Sequence, residues 1–169
     1  ALEDLEAQGM TGLVIDLRDN PGGNLDTVCD ILDLILPEGT IVSTKDKNGE
    51  GETYTSDEEH KLEIPLSVLT NGNSASASEI FAGAVQDYGV GTLVGTTTFG
   101  KGIVQQIFPL TDGTSIKLTI SEYFTPKGRN IHGTGIDPDV EVEYEYNEED
   151  PAADNQLEKA IEIVKGNGM

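Results

Sequence analysis

Cysteine is almost missing from this sequence. Cys29 is the only one in 169 residues, so no internal disulfide and no cysteine-rich metal site can form. It stands among Leu25, Val28 and Leu32 at a helical period, which places it in an apolar core. Histidine is scarce too: His60 and His132 are too isolated to indicate zinc, so no metal is expected. Basic residues number 10 against 31 acidic ones, a net charge of −21. A polyanion repels nucleic acid and anionic lipid, which removes both as partners. The acid-rich runs, residues 57–59 and 141–154, read as solvated surface. No apolar run approaches the roughly 18 residues of a membrane span, so this segment inserts in no membrane. The opening Ala-Leu-Glu-Asp-Leu-Glu has neither the basic start nor the apolar stretch of a signal peptide.

What remains is the composition of one folded domain, 36% hydrophobic and 24% charged. Residues 1–8 read as the last turns of a helix that stops at Gly9. Residues 12–17 form a short apolar run, the pattern of a strand buried on both faces. A turn, Arg18-Asp19-Asn20-Pro21-Gly22-Gly23, then leads into a helical period through Leu25, Val28, Leu32 and Ile35 to Pro37. Residues 40–44 and 51–55 read as strands around Asn48-Gly49. A second strand–turn–helix unit follows. Its strand is 66–70, its junction is 71–79, and its helix carries Ala77, Ile80, Phe81, Ala84 and Val85 on one stripe. Residues 92–95 are a third core strand, and 103–110 with 115–123 flank a hairpin turn. The tail, 155–165, places Leu157, Ala160, Ile161 and Val164 on one helical face. The order is α/β throughout, with stacked βα units and flanking hairpins.

Both βα junctions put free backbone N–H groups at the positive end of a helix dipole, where a developing oxyanion can be held. The first supplies Gly22 and Gly23, whose missing side chains let a substrate carbonyl come close. The second supplies the hydroxyls of Ser74, Ser76 and Ser78. Ser76-Ala77-Ser78-Glu79 is equally a capping box, and local pattern alone favours that structural role.

A serine nucleophile needs a base, and Lys101 has a physical claim to the part. A lysine base must be neutral, so its pKa has to fall from about 10.4 towards 7–8. Burial away from carboxylates is the route to such a fall. From Tyr88 to Thr111 the only charged residue is Lys101, where average density would put about six. Gly100 and Gly102 allow a tight backbone path. Gln105, four residues on, falls on the lysine's side and can orient the amine without charging it. The alternative, an exposed lysine beside a glycine turn, stays open.

Together these stretches resemble the carboxy-terminal processing (tail-specific) serine peptidases, whose core has a Clp-protease/crotonase-like fold. The likeness rests on residues 16–23, on Ser74-Ala75-Ser76-Ala77-Ser78-Glu79-Ile80, on Phe99-Gly100-Lys101-Gly102-Ile103-Val104-Gln105 and on Gly133-Thr134-Gly135-Ile136-Asp137-Pro138-Asp139. They stand in the family's order at about its spacing, within residues 12–140. The resemblance implies Ser76 as nucleophile, Lys101 as base and Gln105 as the support of the lysine. It implies an oxyanion hole from the N–H groups of Gly22 or Gly23 and of Ala77. It further implies protein or peptide substrates with free C-termini, an extracytoplasmic setting, and no metal or organic cofactor. Relatives carry a peptide-binding PDZ module and a leading strand ahead of the residues present here. Residues 1–169 are therefore expected to be a single catalytic core, a fragment of a longer chain. A carrier of apolar ligands on a related fold, or a scaffold module, is the competing expectation. Such a module has no need of the Ser–Lys–Gln set.

Overall fold

A computed structural model describes residues 2–57 and 59–166. Its elements are α1 (Leu2–Ala7), β1 (Leu13–Asp16), α2 (Leu25–Asp33), β2 (Gly39–Lys45), β3 (Thr53–Ser56), β4 (Leu66–Thr70), α3 (Ala77–Tyr88), β5 (Thr92–Gly95), β6 (Ile103–Pro109), β7 (Ser115–Phe124), β8 (Val140–Glu141) and α4 (Asn155–Val164). The strands form two sheets. One is parallel, in the order β1-β4-β5-β8; the other is antiparallel, in the order β3-β2-β7-β6.

The parallel sheet is covered on both faces, as crossover helices require. Leu66 and Val68 of β4 join Leu93 of β5 in the larger core with α2 and α3, which contribute Val28, Leu32, Ile80, Phe81, Ala84 and Val85. The alternate residues Leu69 and Val94 face α4, meeting Ala160 and Ile163. This two-sided packing buries all five residues of β4. Each fully buried Leu, Ile or Val adds about 1.5–3 kcal/mol of apolar transfer free energy.

The βα units and hairpins fall where the pattern predicts them, with four differences. β1 is only half-buried and Asp16 is exposed, because β1 is an edge strand with one neighbour. α2 ends at Asp33 rather than running to Pro37, although Ile35 and Leu36 remain in the core. On α4 the buried positions are Gln156 and Ala160, while Leu157 is exposed. Gln156 Nε2 donates to the Val142 carbonyl, so a polar anchor turns the helix away from its apolar period. β8 is a two-residue strand, too short for any periodicity to reveal.

β2 ties the second sheet to the core through Ile41 and Val42. Beyond it β6 and β7 project as a ribbon whose residues, apart from those nearest the core, are exposed.

Candidate active site

Parallel pairing of β1, β4 and β5 brings their C-terminal ends side by side, so the loops that follow converge on one edge. Such an edge is where open α/β sheets bind ligands. Hydrogen bonds join the first two loops. Asp19 N–H donates to Asn71 Oδ1, and the side-chain amides of Asn71 and Asn73 donate to Asp19 Oδ1, at 3.0, 3.1 and 2.7 Å. Those amides hold the Asp19 carboxyl below its usual range. Ala75 N–H and Ser78 Oγ both donate to the Asn20 carbonyl, and Ser74 Oγ donates to that of Leu17. Two of the three junction serines are thus structural ties. Ser76 is not one of them.

Ser76 is the N-cap of α3, with φ 59° and ψ −115°. A capping serine ordinarily takes extended angles, and positive φ is strained for a residue with a Cβ. Glu79 Oε2 accepts the Ser76 N–H at 2.9 Å, so the carboxylate half of the capping box is made. Glu79 N–H donates to the Ser76 carbonyl at 2.8 Å. Tyr123 Oη donates to that same carbonyl at 3.2 Å. Burial and the Glu79 charge push the Tyr123 phenol far above its usual pKa, which keeps it a donor. The strained backbone is therefore gripped on both its N–H and C=O sides.

Glu79 is completely buried. Besides Ser76, its oxygens accept Thr98 Oγ1 at 2.6 Å, Gly100 N–H at 2.7 Å and Lys101 N–H at 2.8 Å. Four donors match the lone pairs that a carboxylate offers. Gly100 has φ +86°, and a Cβ there would lie 2.9–3.2 Å from the backbone nitrogens of Gly133, Thr134 and Gly135. The path into Lys101 thus requires glycine.

Ser76, Lys101 and Gln105 line one cleft of about 360 Å³, walled by Leu25, Ile80, Val104 and Tyr123. No hydrogen bond joins Ser76 Oγ to Lys101 Nζ. Gln105 does not reach the lysine either; its Nε2 turns to Thr119 Oγ1 at 3.4 Å. Beside it the β6–β7 register shifts at Val104/Gln105. Gly23 and Ala77 border the cleft too. Gly22 N–H is occupied by Asn20 Oδ1 at 2.9 Å. Among the described residues, the N–H groups of Gly23 and Ala77 have no such partner. A Cβ on Gly22, whose φ is +98°, would lie 2.5 Å from the Ala75 carbonyl and 2.8 Å from Ala77 N. Its bare Cα keeps the space beside Ala77 open. An apolar hollow of about 280 Å³, lined by Leu17, Val28, Ile31 and Phe81, shares Gly23 and Ala77 with the cleft. His132 and His60 line neither space. His132 is exposed, with its backbone against Gly102.

Sequence reasoning missed the Glu79 hub, because three of its four partners lie about 20 residues away. It also missed Asn71, Asn73 and Tyr123, which no local pattern marks.

Comparison with known proteins places the chain in a family. Residues 1–142 match peptidase family S41. The chain is 46% identical over 169 residues to a carboxyl-terminal-processing protease of a Synechocystis species, covering 98% of this chain and 40% of that protein. It is 44% identical over 143 residues to the carboxy-terminal processing protease CtpB of Bacillus subtilis, covering 84% and 30%. Among solved structures, a photosystem II D1 C-terminal processing protease superposes with a TM-score of 0.79 at 34% identity, covering all of this chain and 42% of the other. The fold is the Clp-protease-like α/β arrangement of such peptidases. The chain thus spans less than half the length of these relatives.

Proposed function

The chain belongs to peptidase family S41, the carboxy-terminal processing peptidases, and on that premise we infer that it is a serine endopeptidase core working by a Ser76–Lys101 dyad. The observation that carries this reading is Ser76 itself. It is held at a strained φ by Glu79 and Tyr123 and opens on the cleft that Lys101 lines. A serine whose only task was capping would keep extended angles.

Neutral Lys101 takes the Ser76 proton as Oγ attacks the scissile carbonyl. The oxyanion forms against the N–H groups of Gly23 and Ala77 at the start of α3, with Gly22 supplying room rather than a donor. Lys101, now protonated, gives its proton to the leaving amine. Water then opens the acyl-enzyme by the same relay. Gln105 supports the amine once substrate draws it from Thr119. The apolar hollow beside Gly23 and Ala77 holds an apolar substrate side chain. Substrates are proteins or peptides cut near free C-termini, outside the cytoplasm, and residues 1–169 act as one catalytic core within a longer protein.

The test is covalent labelling by a serine-directed phosphonate, read by intact mass and peptide mapping. A single adduct on Ser76, lost in Ser76→Ala, is expected. No adduct under conditions that label a known serine peptidase would refute the reading, and would favour a ligand carrier using the apolar hollow.

A further inference from the structure

The cleft differs in charge from the protein around it. With 31 acidic residues in 169, a lining of twelve residues should hold about two carboxylates. It holds none, and it holds two lysines, Lys101 and Lys117. Lys117 makes no ion pair among the described residues, in a chain with three acidic residues for every basic one. It lies on β7 opposite Ile107 of β6, two residues from Thr119. Strand alternation puts Lys117 on the face where Gln105 meets Thr119. The ribbon therefore carries Gln105 and then Lys117 outward from the Ser76–Lys101 end. β6 is also the free edge of its sheet, open to an extended peptide along it.

We propose that Lys117 receives a carboxylate of the substrate, a side-chain or C-terminal one, and so selects which bond is presented to Ser76. The proposal rests on the peptidase reading. From Ile103 to Ile107, the partner of Lys117, is about 13 Å of strand, so the carboxylate falls about two to four residues from the scissile bond. No carboxylate of the cleft competes for Lys117, and the net charge of −21 disfavours an acidic peptide on the protein as a whole. A cationic island in such a field gives register more than strength.

The test is peptide binding to the full chain carrying Ser76→Ala, by fluorescence anisotropy. The peptides are neutral and apolar, with one Glu or one Lys walked along them, each with a free or an amidated C-terminus. With Lys117 present, Glu at one place should bind about threefold tighter than Lys at that place, or a free C-terminus about threefold tighter than its amide, and added salt should erase the difference. Lys117→Gln should flatten the preference and Lys117→Glu should invert it. If the free C-terminus binds tighter than its amide wherever Glu stands, the carboxylate is C-terminal; if a preference for Glu at one place survives amidation, it is a side chain. A preference unchanged in Lys117→Glu, no preference with Lys117 present, or no peptide binding at about 1 mM would overturn the proposal. Phosphonate labelling separates the two readings. Labelling without charge inversion removes Lys117 alone, and charge inversion without labelling removes the peptidase mechanism alone.

Discussion

Ser76 and Lys101 donate their backbone N–H groups to the same oxygen, Glu79 Oε2, at 2.9 and 2.8 Å. One opens α3 and the other ends the loop after β5, so nothing local in the chain holds them together. The second oxygen ties down Thr98 and Gly100 in that loop. A displacement of either loop would strain hydrogen bonds to a single buried charge. Charge-assisted bonds of this kind are about twice as strong as neutral ones.

Glu79→Gln tests that coupling. The glutamine keeps one acceptor oxygen and turns an NH2 towards two N–H donors. Stability should fall by about 1–3 kcal/mol in urea unfolding. Turnover should fall more than about tenfold with KM little changed, since the lost element is geometry rather than substrate binding. Raised KM with normal kcat would show that Glu79 serves binding instead.

Asp154 gives a pH dependence with a definite sign. It caps α4 and takes hydrogen bonds from Arg18, which hold its carboxyl below the usual range. A lowered folded pKa means stability that is complete above the unfolded value, near 3.9, and lost as pH falls through the folded value. Asp154→Asn keeps a capping side chain but not the charge. Wild type should melt a few degrees higher than Asp154→Asn at about pH 6, and the gap should narrow towards about pH 3. A gap that widens in acid would contradict the assignment.

Cys29 should prove a bystander. It is buried on α2, and burial with the charges of Asp26 and Asp30 pushes its thiol up to about 11. Thiol reagents should react slowly with the folded chain. Cys29→Ser should hydrolyse a small ester at the wild-type rate and lose about 1–2 kcal/mol of stability. Loss of turnover in the folded variant would place the thiol in the chemistry.

The βα units were legible in the sequence because each pairs an apolar run with a small-residue turn and a 3.6-residue stripe. The same logic marked Gly100 and Gly102 as backbone requirements. What could not be read depends on contacts across the fold. Gly22 and Gly23 look alike in sequence, and only the turn of Asn20 onto Gly22 N–H separates them. The window around Lys101 looked free of charge, yet Glu79 reaches under its backbone from α3. Spacing puts Gln105 on the lysine's side, whereas the structure turns its amide to Thr119. The apolar period of α4 does not give its buried face, because Gln156 is a buried anchor between Arg18 and the Val142 carbonyl. Lys117 sits on an exposed hairpin, where a lysine carries no signal until the cleft around it is seen.

The turnover of Lys101→Arg measures the central claim most directly. Arginine keeps the positive charge and nearly the length, but its guanidinium does not lose a proton in a protein and cannot act as base. The variant should fold with a wild-type circular dichroism spectrum and lose at least about a hundredfold in kcat/KM. Lys101→Ala should be as inactive, Gln105→Ala should lose less, and His132→Ala should keep most of its activity. Near-normal turnover by folded Lys101→Arg, above all beside an inactive His132→Ala, would contradict the dyad and move the base to His132.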